Sequence, residues 1–268
     1  MGETIGGDYS PNAPVQMPIS NELPDILYKY FPPRDYVREV IHGRSIQFTN
    51  PLKFNDPFEC RFRIEYQGTF AEIERYFRRD AKRSMPGASR KEREEAATRI
   101  ASRLVSGPFY VHDMPSYQSL MSQWGILSLT ERNESILMWS HYAQDHKGIC
   151  IGFDARKDLF RLAIRVGYAA EMPSCNFLAL DDGGGEKVME ASILTKSEEW
   201  EYEKEWRVFK NTRSPTEIGA ITADAMKAGF DAESRRILAA QYGPGLYEFD
   251  PTAVVEVIFG LRTEPAWE

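Results

Sequence analysis

The chain of 268 residues has only three cysteines, Cys60, Cys150 and Cys175, widely spaced and odd in number. That excludes a disulfide framework and fits a reducing, cytoplasmic setting. Only four histidines are present. His141 and His146 lie five apart, a poor chelate on a helix, and no Cys/His cluster accompanies them, so no metal site is expected. No apolar run approaches 18 residues, which argues against a membrane span. The N-terminus is neither basic nor apolar, so it does not read as a secretory signal. No Gly-rich phosphate loop of the Rossmann or P-loop type occurs. The net charge is -7, which disfavours non-specific nucleic-acid binding by the chain as a whole. No internal repeat is found.

What is present suits a globular domain. Hydrophobic residues make up 42% and aromatic residues 12%, enough for a sizeable core and too many for disorder. Residues 1–22 hold Gly, Pro, Asn and Ser with few apolar anchors and read as a flexible arm. Residues 23–268 read as one α+β domain with a helical insertion near 70–106. Strands are expected at Leu27–Phe31, Ser45–Thr49, Phe62–Tyr66, Ile126–Thr130, Ile149–Phe153, Val166–Tyr168, Trp206–Phe209, Leu246–Phe249 and Val254–Phe259. Helices are expected at Arg34–Ile41 with Gly43 as C-cap, Phe70–Phe77, Ala96–Val105, Ile136–Ala143 capped by Asn133, Ile193–Trp200 and Ala223–Ala240. Asp181–Gly185 reads as a loop. The helices come in blocks instead of alternating with strands. This favours a split or strongly twisted, mixed or antiparallel sheet with inserted helices.

Charge is uneven. From Phe70 to Arg103 ten Lys/Arg stand against six Asp/Glu, which leaves about -11 on the remainder. A solvated, salt-bridged helical pair explains this, and so does a face for an anionic partner.

Three stretches carry candidate chemistry. In Phe54-Asn55-Asp56-Pro57-Phe58-Glu59, Pro57 and the Asx side chains build a rigid corner, from which Asn55, Asp56 or Glu59 can line a pocket. In Trp139-Ser140-His141-Tyr142, Trp139 and Tyr142 share a helical face and can stack on a ring, or simply pack the core. In Tyr202-Glu203-Lys204-Glu205-Trp206-Arg207, an extended chain places Glu203, Glu205 and Arg207 on one face. Paired carboxylates perturb one another, and an adjacent Arg holds one ionised, an arrangement that suits stabilising a cation. An exposed strand with ordinary ion pairs is the plainer reading of the same pattern.

These stretches occur in a fixed order with Leu27-Tyr28-Lys29-Tyr30 and Gly148-Ile149-Cys150-Ile151-Gly152-Phe153-Asp154. Together they closely resemble a widespread bacterial and phage family of unknown function over roughly Leu27 to Leu261. More distantly, the order of elements is similar to the ADP-ribosyltransferase-like fold, whose enzymes bind NAD in the cleft of a split sheet. They use a first-strand His or Arg, a middle Ser or Tyr, and a late Glu. The resemblance implies NAD as cofactor, with Lys29 or Tyr28 in the first role, Ser128 or Thr130 in the second, and Glu205 as catalytic Glu with Glu203 completing Glu-x-Glu. Tyr28, Lys29, Asn55, Ser128, Trp139, Tyr142 and Arg207 would then bind the cofactor. The implied activity is ADP-ribosyl transfer to a protein or nucleic-acid acceptor, or NAD hydrolysis, as in a phage-defence or toxin effector. Two other classes fit the residues: a binding module that uses the same cleft without turnover, and a nucleic-acid-directed effector docking through Arg75–Arg103.

Overall fold

The computed structural model describes residues 22–65, 69–107, 109–111, 115–176, 185–211 and 243–264. The N-terminal arm apart from Glu22, the helix expected at 223–240 and the loop expected over Asp181–Gly185 lie outside them, except that Gly185 is described and opens a helix.

In chain order the elements are β1 (Ile26–Phe31), α1 (Tyr36–Ile41), β2 (Ser45–Phe48), β3 (Arg63–Glu65), α2 (Phe70–Ser84), α3 (Arg90–Val105), β4 (Phe109–Tyr110), α4 (Pro115–Met121), β5 (Trp124–Thr130), α5 (Ile136–Tyr142), β6 (Ile149–Asp154), β7 (Ile164–Arg165), β8 (Gly167–Ala169), β9 (Ser174–Asn176), α6 (Gly185–Leu194), β10 (Thr195–Ser197), β11 (Glu205–Asn211), β12 (Gly245–Glu248) and β13 (Val254–Phe259). Short 3-10 turns cover Pro51–Lys53, Asp158–Leu162, Glu198–Glu203 and Pro251–Ala253. The fold is α+β, as the composition of elements implies.

The main sheet has six antiparallel strands in the order β13-β6-β1-β5-β11-β7. Its joints are unequal. β1 pairs with β6 from Ile26↔Asp154 to Phe31↔Ile149, and β5 pairs with β11 from Trp124↔Asn211 to Thr130↔Glu205. Between β1 and β5 the register holds only Tyr28↔Thr130. Toward the other end of β5, Ile126 bridges Thr49 instead. The sheet therefore splits beside Ser128. Lys29 fills the gap: its ammonium donates to the Ser128 carbonyl at 2.9 Å.

Period-two alternation sorts the faces. Leu27, Phe31, Leu127, Leu129, Ile151, Phe153, Trp206 and Val208 join α1 and β2 in the largest apolar cluster. On the other face Tyr30 and Cys150 pack against Met138, Trp139 and Ala143 of the α5 segment. A second large cluster forms where β3, α2, α3 and α4 meet, around Phe62, Ile73, Ala101, Leu104 and Met121.

The two helices of the insertion run further toward each other than the expected Phe70–Phe77 and Ala96–Val105. Both helices open on capping boxes, Thr69 with Glu72 and Ser89 with Glu92, which satisfy free backbone N–H groups. The cap of α5 is Ser135, whose hydroxyl accepts from Met138 N; Asn133 instead accepts from the Trp139 indole through its carbonyl. α1 ends at Ile41 and its C-cap is His42, one residue before the glycine expected in that role. The helix expected over Ile193–Trp200 is in fact three elements: α6 ends at Leu194, β10 follows, and a 3-10 turn runs to Glu203.

Gly148 is required by a close approach. A Cβ there would lie 1.9 Å from the Phe31 carbonyl oxygen and 3.0 Å from Pro32 Cα, both backbone. Gly148→Ala is expected to destabilise the fold by about 3 kcal/mol, by forcing β6 away from β1. Gly87→Ala, with no atom within 4 Å of its new Cβ, is expected to stay within about 0.5 kcal/mol of the parent. Urea unfolding midpoints of the two variants check both values.

Candidate functional site

A cavity of about 290 Å³ opens at the split. Its walls come from β1 (Tyr28, Lys29, Tyr30), the 49–59 segment (Lys53, Asn55, Glu59), β5 (Ser128, Thr130), α5 (Tyr142), and Lys196, Glu203 and Glu205. Beneath it lies a network of charges removed from water. Glu59, Glu203, Glu205, Lys196 and Arg207 are each 5% exposed or less.

Lys196 sits between carboxylates, 2.6 Å from Glu203 Oε2, 3.1 Å from Glu205 Oε2 and 4.0 Å from Glu59 Oε1. Its ammonium also lies 4.9 Å over the Trp200 ring. Arg207 Nε donates to Glu205 Oε1 at 2.8 Å and its Nη2 to Glu205 Oε2 at 3.1 Å, a bidentate fork. Arg207 also donates to Glu59 and to the Ile193 carbonyl. Tyr142 Oη donates to Glu203 Oε1 at 2.6 Å. The Ser128 hydroxyl bonds Glu205, and the Glu205 N–H donates to Tyr168 Oη at 2.7 Å.

Position follows from local structure. Glu205 and Arg207 share a face because β11 is extended between them. Glu203 arrives differently from the extended reading. It ends the 3-10 turn, and Lys204 turns the chain through the left-handed region at φ 45°, ψ 55°. The two carboxylates still meet, through the shared ammonium of Lys196. The Glu203 carbonyl is held by the Thr130 hydroxyl, which fixes this turn to the end of β5.

Burial shapes the titration. Burial raises the Glu205 carboxyl, Lys196 pulls it back and Glu203 raises it further. For Lys196, burial disfavours the charge, but Glu205 and Glu203 outweigh it and the ammonium ends above its ordinary value. Burial pulls Arg207 down to about 9, still charged at neutral pH, and Lys29 down to about 8. Tyr142 is raised by burial and by Glu203, so it stays a hydrogen-bond donor.

Of the residues singled out in the sequence, Tyr28, Lys29, Asn55, Ser128, Tyr142, Glu203 and Glu205 line the cavity. Arg207 is fully buried behind Glu205. Trp139 is outside the lining: its ring meets Tyr30 edge-on at 5.1 Å and stacks on His146 at 6.0 Å. In the ion network, the residue missed altogether is Lys196; in the cavity wall, Lys53 was missed as well. For Lys196, a lysine two residues after the apolar pair Ile193-Leu194 was the one signal. Asp56 is buried; one oxygen accepts from Phe58 N, and Oδ2 has no partner among the described residues. No group of three or more His, Cys, Asp or Glu side chains suited to a metal occurs among the described residues, and no described helix is long and apolar enough to cross a membrane.

The fold and site define a split-sheet α+β protein with a polar cavity over a buried ion network. Residues 138–208 match the model of a family described as Protein of unknown function (DUF2971). That stretch carries Tyr142, Lys196, Glu203, Glu205 and Arg207; Lys29, Glu59 and Ser128 lie outside it. No curated protein and no solved structure matches the chain.

Removing Lys196 leaves buried Glu203 without its cation and Glu205 with Arg207 alone. Lys196→Met is expected to cost about 3–5 kcal/mol at neutral pH. Glu205, already raised by burial, rises further once Lys196 no longer lowers it, so the folded state binds more protons and the loss shrinks as pH falls. Adding Glu203→Gln is expected to recover part of it. Denaturation at pH 7.5 and 5.5 checks the sign.

Proposed function

We propose that the chain is an NAD-dependent, ADP-ribosyltransferase-like enzyme, transferring ADP-ribose to a macromolecule or to water. One observation carries this reading. Lys29, Ser128 and Glu205, from three successive strands of the sheet, converge on one cavity at the split. These are the positions to which the resemblance assigns the first-strand, middle and late-Glu roles.

The residues present suit such a substrate. Lys29 and Lys53 offer positive charge to a pyrophosphate, and Tyr28 and Tyr142 offer rings at the wall. Cleaving the nicotinamide–ribose bond sends its electron pair to the nicotinamide nitrogen, which becomes neutral, and leaves positive charge on the ribose carbon. Glu205, fixed by Arg207 and Lys196, faces that charge before it forms, so no reorganisation is needed. The incoming hydroxyl or water forms the new C–O bond and gives its proton to Glu203. Tyr142 and Lys196 hold Glu203 in place for this transfer. An effector that depletes or redirects NAD is the corresponding biological role.

A second reading has its own observation. All four oxygens of Glu203 and Glu205 already accept hydrogen bonds from the protein. A site so satisfied also suits a module that binds a nucleotide without turnover.

Nicotinamide release from NAD by the purified protein, with and without cell lysate, tests the two. Turnover that falls about 100-fold or more in a folded Glu205→Gln variant is the expected result. NAD binding with no release under any condition would replace the enzyme by the binding module. Activity is also expected to disappear in acid with a midpoint above the usual carboxylate range, because burial raises Glu205 and its ionised form is the one required. NAD affinity is expected to weaken as pH rises through about 8, where Lys29 loses its charge. Rate and binding profiles between pH 5 and 9.5 measure both.

A further inference from the structure

The hairpin of α2 and α3 is a second place where charge gathers, away from the cavity. Its six acidic residues are all committed. Glu72 and Glu92 close the capping boxes. Glu74, Asp80, Glu94 and Glu95 pair along the helices with Arg78, Arg83, Arg90 and Lys91. The remaining cations carry the surplus. Arg79, Lys82 and Arg99 make no ion pair among the described residues, and Arg75 has only a longer-range attraction to Glu72. All four are exposed.

Their arrangement is ordered. Arg75, Arg79 and Lys82 recur at i, i+4 and i+7, one stripe of α2. At the hairpin's tip a cleft of about 420 Å³ is lined by Arg78, Lys82, Arg90, Arg93 and one carboxylate, Glu94. The Arg93 guanidinium is fixed there by the Ala88 carbonyl at 2.7 and 3.0 Å. The helix dipole does not favour this placement. Arg90, Lys91 and Arg93 stand in the first turn of α3, where the helix dipole disfavours cations. Eight of the ten cations from Phe70 to Arg103 are arginine, whose planar fork matches phosphate oxygens in two places at once.

We infer that the α2–α3 hairpin is a docking surface for the phosphodiester backbone of a nucleic acid. The stripe tracks the chain of phosphates and the cleft takes one of them. Since the rest of the molecule carries about -11, a polyanion is steered to this one face and kept off the others. Backbone contacts of this kind give affinity and position without reading sequence.

The test uses the full chain and fluorescein-labelled 20-mers of single-stranded RNA, single-stranded DNA and duplex DNA, read by fluorescence anisotropy. Binding of at least one is expected, with affinity falling as salt rises from 50 to 200 mM at a log–log slope of roughly -2 to -3, as about three neutralised phosphates require. The comparison among the three probes shows which form is preferred. R75E/R79E/K82E is expected to weaken binding at least tenfold, and the milder R79Q/K82Q severalfold, with unchanged thermal unfolding in both. Lys91→Glu, at an already paired position, is expected to change affinity less than twofold. The inference is overturned by no binding at 50 mM salt, by salt-independent binding, or by full affinity in both multiple variants. It is also overturned if polyglutamate of matched length competes as well as RNA or DNA, since the surface would then have no preference for phosphodiesters.

Discussion

Two cations and three carboxylates share one desolvated volume, and the ion network they form governs the rest of the molecule. Withdrawing each ion from water costs several kcal/mol, which mutual attraction offsets only when every partner stands in place. Glu59 comes from the corner after β2, Lys196 from β10, Glu203 from a 3-10 turn, and Glu205 and Arg207 from β11. The network therefore fixes four segments that backbone pairing alone would leave loosely related. Well-packed apolar residues would hold them more cheaply in free energy. That a polar solution occupies this place is the reason to look for chemistry there.

The split in the main sheet follows from the same geometry. β5 is claimed by β11 along one edge and by both Thr49 and β1 along the other. The carbonyl of Ser128 falls between those two partners, and a lysine side chain replaces the missing backbone donor. A sheet zipped along its full length would have closed the cavity. The large apolar cluster on the opposite face holds the two halves together, so the opening does not weaken the frame as a whole.

Much of this was legible in the chain. Leu27–Phe31, Ile149–Phe153 and Val254–Phe259 declare themselves as strands through alternation or continuous apolar character, and the structure has β1, β6 and β13 there. The pairing of Glu205 with Arg207 follows from period two alone. Lys196 was hidden because Ile193–Trp200 reads as one helix, whereas tertiary pairing with β8 pulls Thr195–Ser197 into a strand. The left-handed turn at Lys204 was equally hidden, since Lys carries no local preference for it. Trp139 was read as a candidate stacking ring because helical spacing cannot distinguish a residue facing a cavity from one facing Tyr30. The fold class is local in origin and so was visible; the network is a product of contacts distant in sequence and was not.

The α2–α3 hairpin leaves the frame at β3 and returns at β4, and these strands pair with each other at Arg63↔Tyr110 and Ile64↔Phe109. Its two ends are thus pinned side by side. Ile73, Ala101 and Leu104 tie the inner face of the hairpin into the second apolar cluster, but its tip and its outward face can lengthen, shorten or change while the frame feels only a modest change in loop-closure entropy. The buried site, whose members come from distant stretches of chain, has no such latitude. Within one molecule, then, the structure joins a part that tolerates drift to a part that resists it.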